Sequence, residues 1–179
     1  CMERTLYNGV ISGMSMDGGR FFYPNPLSSD GKYAFNADGN TTRQPWFGCA
    51  CCPSNLCRFI PSVPGYLYGV KDNNIYVNLF AGNTSTIKVN GKDVVLEETT
   101  EYPWNGDIKI AVKKSGVKNA NLLVRIPGWV RNQVVPSDLY KYSDAEKPAY
   151  TVTVNGKAVE ADLNANKGYL PVKNIKKGD

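Results

Sequence analysis

The sequence has 179 residues and a hydrophobic fraction of 42%, which is enough for a chain of this length to bury a core. Its net charge of +5 comes from 21 basic and 16 acidic side chains that are dispersed along the chain. Two lysine pairs, Lys113–Lys114 and Lys176–Lys177, are more typical of solvated faces than of a phosphate track, so we expect no nucleic-acid binding. No apolar run of about 18 residues or more is present, so no membrane span is predicted.

The chain ends and the cysteines give two further expectations. The sequence starts at Cys1 rather than Met and ends at Asp179 without a closing turn, so we expect a piece of a longer protein and infer nothing from the lack of a targeting segment. The five cysteines are an odd number, and four of them lie close together, unlike the spaced framework of a small secreted protein. This leaves the compartment open but favours the cytoplasm or the bacterial periplasm over the extracellular space.

Residues 1–64 indicate a helix-and-loop segment. Apolar residues recur with helical spacing from Leu6 to Met14. An aromatic stretch at 21–23 is expected to be extended, and the polar residues 28–45 indicate a loop.

A short helix is predicted directly after a cluster of cysteines. Ser54, after Pro53, is a plausible N-cap for a helix that includes Ile60 and ends before Pro61. Cys49, Cys51 and Cys52 would then lie in the loop that leads into this helix.

Residues 65–179 indicate a β-sandwich. From about residue 65 the apolar period changes from helical to two, and short strands alternate with turn signals. Asn90-Gly91 and Asn155-Gly156 each separate two such strands and predict hairpins with type I′ turns. The predicted fold class is therefore mainly β: an antiparallel β-sandwich preceded by the helix-and-loop segment.

The cysteine cluster is the candidate site of chemistry. Its members are Cys49, Cys51, Cys52 and Cys57. The adjacent pair at 51 and 52 reaches disulfide geometry only with strain, so the pair suggests metal ligation or catalysis, both of which use the thiolate. Taken alone, the pattern fits structural zinc or buried thiols about as well as a catalytic site.

Several blocks together carry a resemblance to a known family. They resemble the glycoside hydrolase family 127 β-L-arabinofuranosidases, in order and spacing as well as in residues. The blocks are Glu3-Arg4 with Leu6-Tyr7-Asn8, Asp17–Tyr23, Asn25–Leu27, Trp46–Pro53 with Asn55 and Arg58, and Gly168–Pro171. The cysteine block is the most specific of them.

The resemblance implies an (α/α)₆ catalytic barrel followed by β-sandwich domains. Residues 1–64 would be the end of that barrel, and residues 65–179 would be most of the first sandwich, truncated at its C-terminal end. The family implies a retaining glycosidase whose nucleophile is a zinc-bound cysteine. By this matching, Cys51 is the nucleophile and a zinc ligand, Cys52 is a second ligand, and Glu3 and Tyr23 hydrogen-bond the arabinose hydroxyls.

The same resemblance places part of the site outside the chain. A glutamate and a cysteine ligand of zinc, the glutamate acid/base and sugar-contacting histidines would lie upstream of residue 1, and the sequence contains no histidine. The expected partners are an arabinose-containing glycan and the remainder of the barrel. We expect the fragment alone to be inactive and to hold zinc weakly, since a tetrahedral site needs all its ligands.

Two alternatives remain open at this point. The sandwich could be a carbohydrate-binding or structural module in which Cys49, Cys51, Cys52 and Cys57 form a structural zinc knot. A redox pair of Cys49 with Cys51 or Cys52 is a third interpretation, although it lacks a βαβ context. Cys57, one turn along the predicted helix, is expected to lie in the core.

Overall fold

The computed structural model describes residues 2–135, 137–144 and 150–179. The chain forms two compact units, Cys1–Val63 and Pro64–Asp179. Within the described ranges, no helix has the length and apolar character needed to cross a membrane.

The first unit contains short helical elements joined by loops. Its helices are α1 (Met2–Arg4), which continues as a π-helical turn (Thr5–Val10) and a 3₁₀ turn (Ile11–Gly13), then a 3₁₀ turn (Ala37–Gly39), α2 (Cys51–Phe59) and a 3₁₀ turn (Ile60–Ser62). The predicted N-terminal helix is confirmed, but most of it is not α-helical. Two glycines, Gly9 and Gly13, lower the α-helix propensity of this segment.

Helix α2 begins earlier than predicted. It starts at Cys51, so Pro53 lies in its first turn, where the missing N–H would have no helical partner in any case. The Ser54 hydroxyl donates to the Cys51 carbonyl oxygen at 3.1 Å, so Ser54 is not the N-cap. The α-helix ends at Phe59, one residue earlier than predicted and before Pro61, which lies in the following 3₁₀ turn. The cysteine pair is therefore the first turn of a helix and not part of a loop.

The second unit is a two-layer β-structure with a short helix before it. Its elements are α3 (Pro64–Leu67), β1 (Tyr68–Lys71), β2 (Asn74–Val77), β3 (Asn83–Val89), β4 (Lys92–Thr100), β5 (Ile108–Ser115), β6 (Asn121–Arg125), a 3₁₀ turn (Trp129–Arg131), β7 (Thr153–Val154), β8 (Lys157–Ala158) and β9 (Tyr169–Val172). One sheet has the order β1-β2-β6-β9, the second β3-β4-β5, and β7-β8 is a separate hairpin. Both predicted Asn-Gly turns have two positive φ angles, 49° and 76° at Asn90-Gly91 and 50° and 77° at Asn155-Gly156, as type I′ requires.

The core lies between the two larger sheets. Ile75, Val77 and Leu122 from the first sheet pack with side chains of the second sheet, and those side chains are Ile87, Val89, Val94, Leu96 and Val112. The predicted mainly-β fold class is confirmed. One pairing departs from the antiparallel pattern, because β2 and β6 run parallel, with Asn74 opposite Asn121.

One acidic side chain is buried at the edge of this core. Glu98 is 2% exposed. It accepts hydrogen bonds from the Tyr68 hydroxyl at 3.1 Å and from the Ala81 N–H at 3.2 Å. Burial raises the pKa of the Glu98 carboxyl to about 7, and these hydrogen bonds oppose that rise.

Candidate active site

The two adjacent cysteines lie side by side at the start of α2. The Sγ atoms of Cys51 and Cys52 are 3.7 Å apart, and neither residue is in a disulfide. Cys51 is exposed and Cys52 is half-buried. The thiol of Cys51 is therefore the accessible member of the pair.

A tyrosine from another part of the unit contacts the exposed thiol. The Tyr23 hydroxyl oxygen lies 3.2 Å from Cys51 Sγ. Hydrogen bonds from Tyr23 and then from Cys52 lower the pKa of the Cys51 thiol, because both favour the thiolate. The same contact with Cys51, followed by one with Cys49, raises the pKa of Tyr23, because the hydroxyl must keep its proton to donate. The arrangement thus stabilises an anion on Cys51.

The pKa of the Cys52 thiol is shifted in the opposite direction. Burial, and then the neighbouring Cys51, raise the pKa of the Cys52 thiol. Of the two thiols, Cys51 is therefore the one that loses its proton more readily. A thiolate that is exposed and stabilised by donors is a competent nucleophile.

Tyr23 is fixed by a buried asparagine and a buried ring. Its N–H donates to Asn36 Oδ1 at 2.7 Å, and Asn36 Nδ2 donates to the Thr42 carbonyl oxygen at 2.8 Å. Asn36 is only 3% exposed. The Tyr23 ring meets Phe47 edge to face, with centroids 5.4 Å apart. These contacts set both the backbone and the ring that carry the hydroxyl.

The aromatic residues named in the sequence blocks have different environments. Phe21 is buried, exchanges two backbone hydrogen bonds with Gln44, and packs edge to face on Trp46 at 6.4 Å. Phe22 lies under the Arg43 guanidinium at 4.2 Å. Trp46 is 56% exposed, so of the three it has the most ring surface free in this chain.

Glu3 is placed by the structure beside another tyrosine. It lies in α1 and is half-buried. Burial, and then the charge of Glu3, raise the pKa of Tyr7. Tyr23 thus contacts the cysteine pair directly. For Glu3, the effect that the structure gives is the one on the pKa of Tyr7. The predicted sugar contact of Glu3 stays a prediction.

Two residues that hold Tyr23 carry no sequence signal of that role. Asn36 is one polar residue in a polar loop, and although Phe47 lies in the Trp46–Pro53 block, nothing in the sequence pairs it with Tyr23. Cys57 is exposed on α2, so its expected place in the core is wrong for this chain.

The spacing of the two thiols suits a shared metal ion. With zinc–sulfur bonds of about 2.3 Å and tetrahedral angles, two thiolates on one zinc ion lie about 3.8 Å apart. The observed separation is 3.7 Å. Throughout the described residues, no group of three or more His, Cys, Asp or Glu side chains is arranged to hold a metal ion. The donor set therefore fits half of a tetrahedral zinc site.

The four-cysteine knot does not fit this arrangement. Cys57 follows Cys51 by six positions in one helix, which corresponds to an axial rise of about 9 Å. Among the described residues, no three cysteines are grouped so that they could hold one metal ion, which does not support the four-cysteine knot.

Two family descriptions match the chain along nearly all its length. Residues 1–65 match the catalytic domain of the GH127 β-L-arabinofuranosidases, and residues 74–179 match the middle domain of the same enzymes. A helical unit that carries an exposed cysteine, followed by a β-sandwich, thus has the domain order of this family of glycoside hydrolases. The chain belongs to the GH127 β-L-arabinofuranosidase family.

Individual relatives agree with this assignment. A non-reducing end β-L-arabinofuranosidase of Bifidobacterium longum subsp. longum is 31% identical over 96% of this chain, which spans 24% of that protein. A solved GH127 β-arabinofuranosidase is 55% identical over 99% of the chain, with a TM-score of 0.86 and 26% of its own length covered. A GH127 β-L-arabinofuranosidase of Geobacillus stearothermophilus T6 is 35% identical, with a TM-score of 0.75 and the same shares covered. The chain thus spans about a quarter of the length of these relatives.

Proposed function

We propose that the complete protein containing this chain hydrolyses β-L-arabinofuranosides from the non-reducing end with retention of configuration, and that Cys51 is its nucleophile. The observation that carries the proposal is the exposed Cys51 Sγ with the Tyr23 hydroxyl 3.2 Å away. The family membership and the name of the Bifidobacterium relative support the substrate class.

Retention requires two displacements at the anomeric carbon. In the first, the Cys51 thiolate attacks that carbon, a carbon–sulfur bond forms, and the bond to the leaving oxygen breaks while an acid protonates that oxygen. In the second, the conjugate base takes a proton from water, the water oxygen attacks the same carbon, and the sulfur leaves as thiolate. We expect the acid/base group to be a carboxyl from the part of the barrel outside this chain.

Each residue of the chain has one task in this scheme. Cys51 supplies the attacking electron pair, and Tyr23 donates to its sulfur in the resting enzyme and can turn that donor to a sugar hydroxyl once substrate is bound. Asn36 keeps Tyr23 in place. In the complete enzyme Cys51 and Cys52 would hold a zinc ion together with ligands from outside the chain, and the bound ion keeps thiols deprotonated at neutral pH.

The test uses the complete protein and three serine variants. Cys51→Ser should abolish hydrolysis of an aryl β-L-arabinofuranoside, with the fold retained by circular dichroism. Cys52→Ser should lose zinc, measured by elemental analysis, as well as activity. Cys57→Ser is the matched control on the same helix and should retain both. NMR of the first product formed should report the β anomer.

Two outcomes would overturn the proposal. If Cys51→Ser retained wild-type activity, another group would be the nucleophile. If the first product were the α anomer, the reaction would be a single displacement and no covalent cysteine adduct would form.

A further inference from the structure

An open groove runs along one edge of the β-sandwich unit. Its volume is about 1100 Å³, and it is lined along β5, along residues 150–155 and by apolar side chains that include Val124 and Val172. Ile108 and Ile110 of β5 also line it and are only partly buried. The groove therefore exposes side chains of the kind that a sandwich normally buries.

The groove coincides with an incomplete sheet edge. Within the described residues, β5 pairs with β4 alone. The Val112 N–H donates to the Asp179 carbonyl oxygen at 2.8 Å, and the Val112 carbonyl accepts from the Gly178 N–H at 2.9 Å, so the backbone groups of Val112 point away from β4. Because orientation alternates along a strand, Ile110 and Ile108 present their N–H and C=O groups to the same free edge.

The two bonds at Val112 also give a direction. The accepting carbonyl belongs to Asp179 and the donating N–H to Gly178, one residue earlier. If the two segments were parallel, the residue that accepts from Val112 would come before the residue that donates to it. Here the accepting Asp179 comes after the donating Gly178, which is the order found in an antiparallel pair with a bulge. The chain at Asp179 is therefore heading from Val112 towards Ile108, along the groove.

A turn fastened by Asp179 sets this direction. Its N–H donates to the Lys176 carbonyl oxygen at 3.2 Å, and its Oδ2 accepts from the Lys176 N–H at 2.8 Å. Its Oδ1 accepts from Asn155 Nδ2 at 2.9 Å, on the other side of the groove. The sequence predicts no closing turn at Asp179, but the structure has one. This turn bonds the chain to Val112 on one side of the groove and to Asn155 on the other.

We propose that the residues directly after Asp179 in the complete protein form an antiparallel strand on the free edge of β5 and fill this groove. The chain covers only 26% of the solved GH127 β-arabinofuranosidase, so the complete protein has residues outside this chain that could supply the strand. Continuing the register, the second and fourth residues after Asp179 lie opposite Ile110 and Ile108 and face the core. The first and third lie on the opposite face.

The register gives a prediction for the gene. The second and fourth codons after Asp179 should specify apolar residues, and neither should specify proline, because their N–H groups must bond to β5. A charged residue or a proline at either position would contradict the proposed register.

The structural test is amide hydrogen exchange of the complete protein, read by mass spectrometry with fragmentation at single-residue resolution. The amides of Lys109 and Ala111 point to β4 and serve as internal controls, since they are protected with or without a further strand. We expect the Ile108 and Ile110 amides to exchange within about tenfold of these controls, at every protein concentration.

Two results would overturn the proposal. Exchange of Ile108 and Ile110 at the rate of an unbonded surface amide would mean that the edge is free. Protection that appears only at concentrations where size-exclusion chromatography detects a dimer, or only with added arabino-oligosaccharide, would mean that a second copy or a glycan occupies the groove. None of these outcomes depends on whether Cys51 is the nucleophile.

Discussion

The Tyr23 hydroxyl and the Cys51 sulfur lie 3.2 Å apart although 28 positions separate the two residues in the chain. Tyr23 follows an extended stretch, and Cys51 opens a helix. The contact therefore depends on how the loop between them folds, and mainly on the buried side chain of Asn36. Two predictions test this dependence, the first at the Tyr23 hydroxyl and the second at Asn36, which holds Tyr23 in place.

Removing the hydroxyl should weaken catalysis without unfolding the protein. Tyr23→Phe keeps the ring against Phe47 and deletes the donor to Cys51. A hydrogen bond to a charged group contributes about 1.5–3 kcal/mol, so kcat/KM should fall about 10- to 100-fold. Tyr33→Phe is the control, because Tyr33 is 74% exposed and should behave as wild type. Equal activity of both variants would remove Tyr23 from the mechanism.

Removing the support should affect both stability and activity. Asn36→Ala leaves the Tyr23 N–H and the Thr42 carbonyl without their partner. A buried group left unpaired costs about 1–3 kcal/mol, which thermal unfolding should register as a lower Tm, and kcat/KM should fall as well because the hydroxyl is misplaced. Asn40→Ala is the matched variant, since the Asn40 amide makes longer local contacts of 3.3 and 3.4 Å. A lower Tm with unchanged kcat/KM would show that Asn36 does not position Tyr23.

Glu98 should make stability depend on pH in the neutral range. Its pKa is raised to about 7 in the folded state, so between about pH 4.5 and pH 7 the folded protein binds a proton that the unfolded chain has lost. The free energy of unfolding should therefore decrease as pH rises through this window, by roughly 3 kcal/mol in total, and level off above it. Urea denaturation at several pH values measures this slope.

Glu98→Gln should flatten that dependence, because the amide stays neutral at every pH. Glu97→Gln on the same strand is the control, because the Glu97 carboxylate is partly exposed and pairs with Lys113. A slope that persists unchanged in Glu98→Gln would assign the pH dependence to another group.

A side chain at the second position of the first type I′ turn should lower stability. Gly91 has a φ of 76°, so Gly91→Ala should lower the free energy of unfolding by about 1–2 kcal/mol. Gly106→Ala is the control, because no atom lies within 4 Å of the added Cβ and its φ is not positive. Losses of equal size in both variants would mean that the turn type does not set the cost.

Local chemistry determined how much could be predicted. Asn-Gly pairs force their own turn type, so both hairpins were found from the sequence. The parallel pairing of Asn74 with Asn121 was not, because it joins positions 47 apart and no local pattern encodes it. The site follows the same rule: the adjacent cysteines are visible in the sequence, whereas the support from Asn36 depends on a loop whose path is set by tertiary contacts.

The parallel pairing of β2 with β6 has a consequence for the order of assembly. The whole β3-β4-β5 meander lies between these two neighbouring strands in the chain, and all its own pairings are between consecutive strands. Closing a long loop costs more entropy than closing a hairpin, so the meander can form from local contacts before β6 finds β2. The last step would then be the closure of the first sheet around a meander that is already formed.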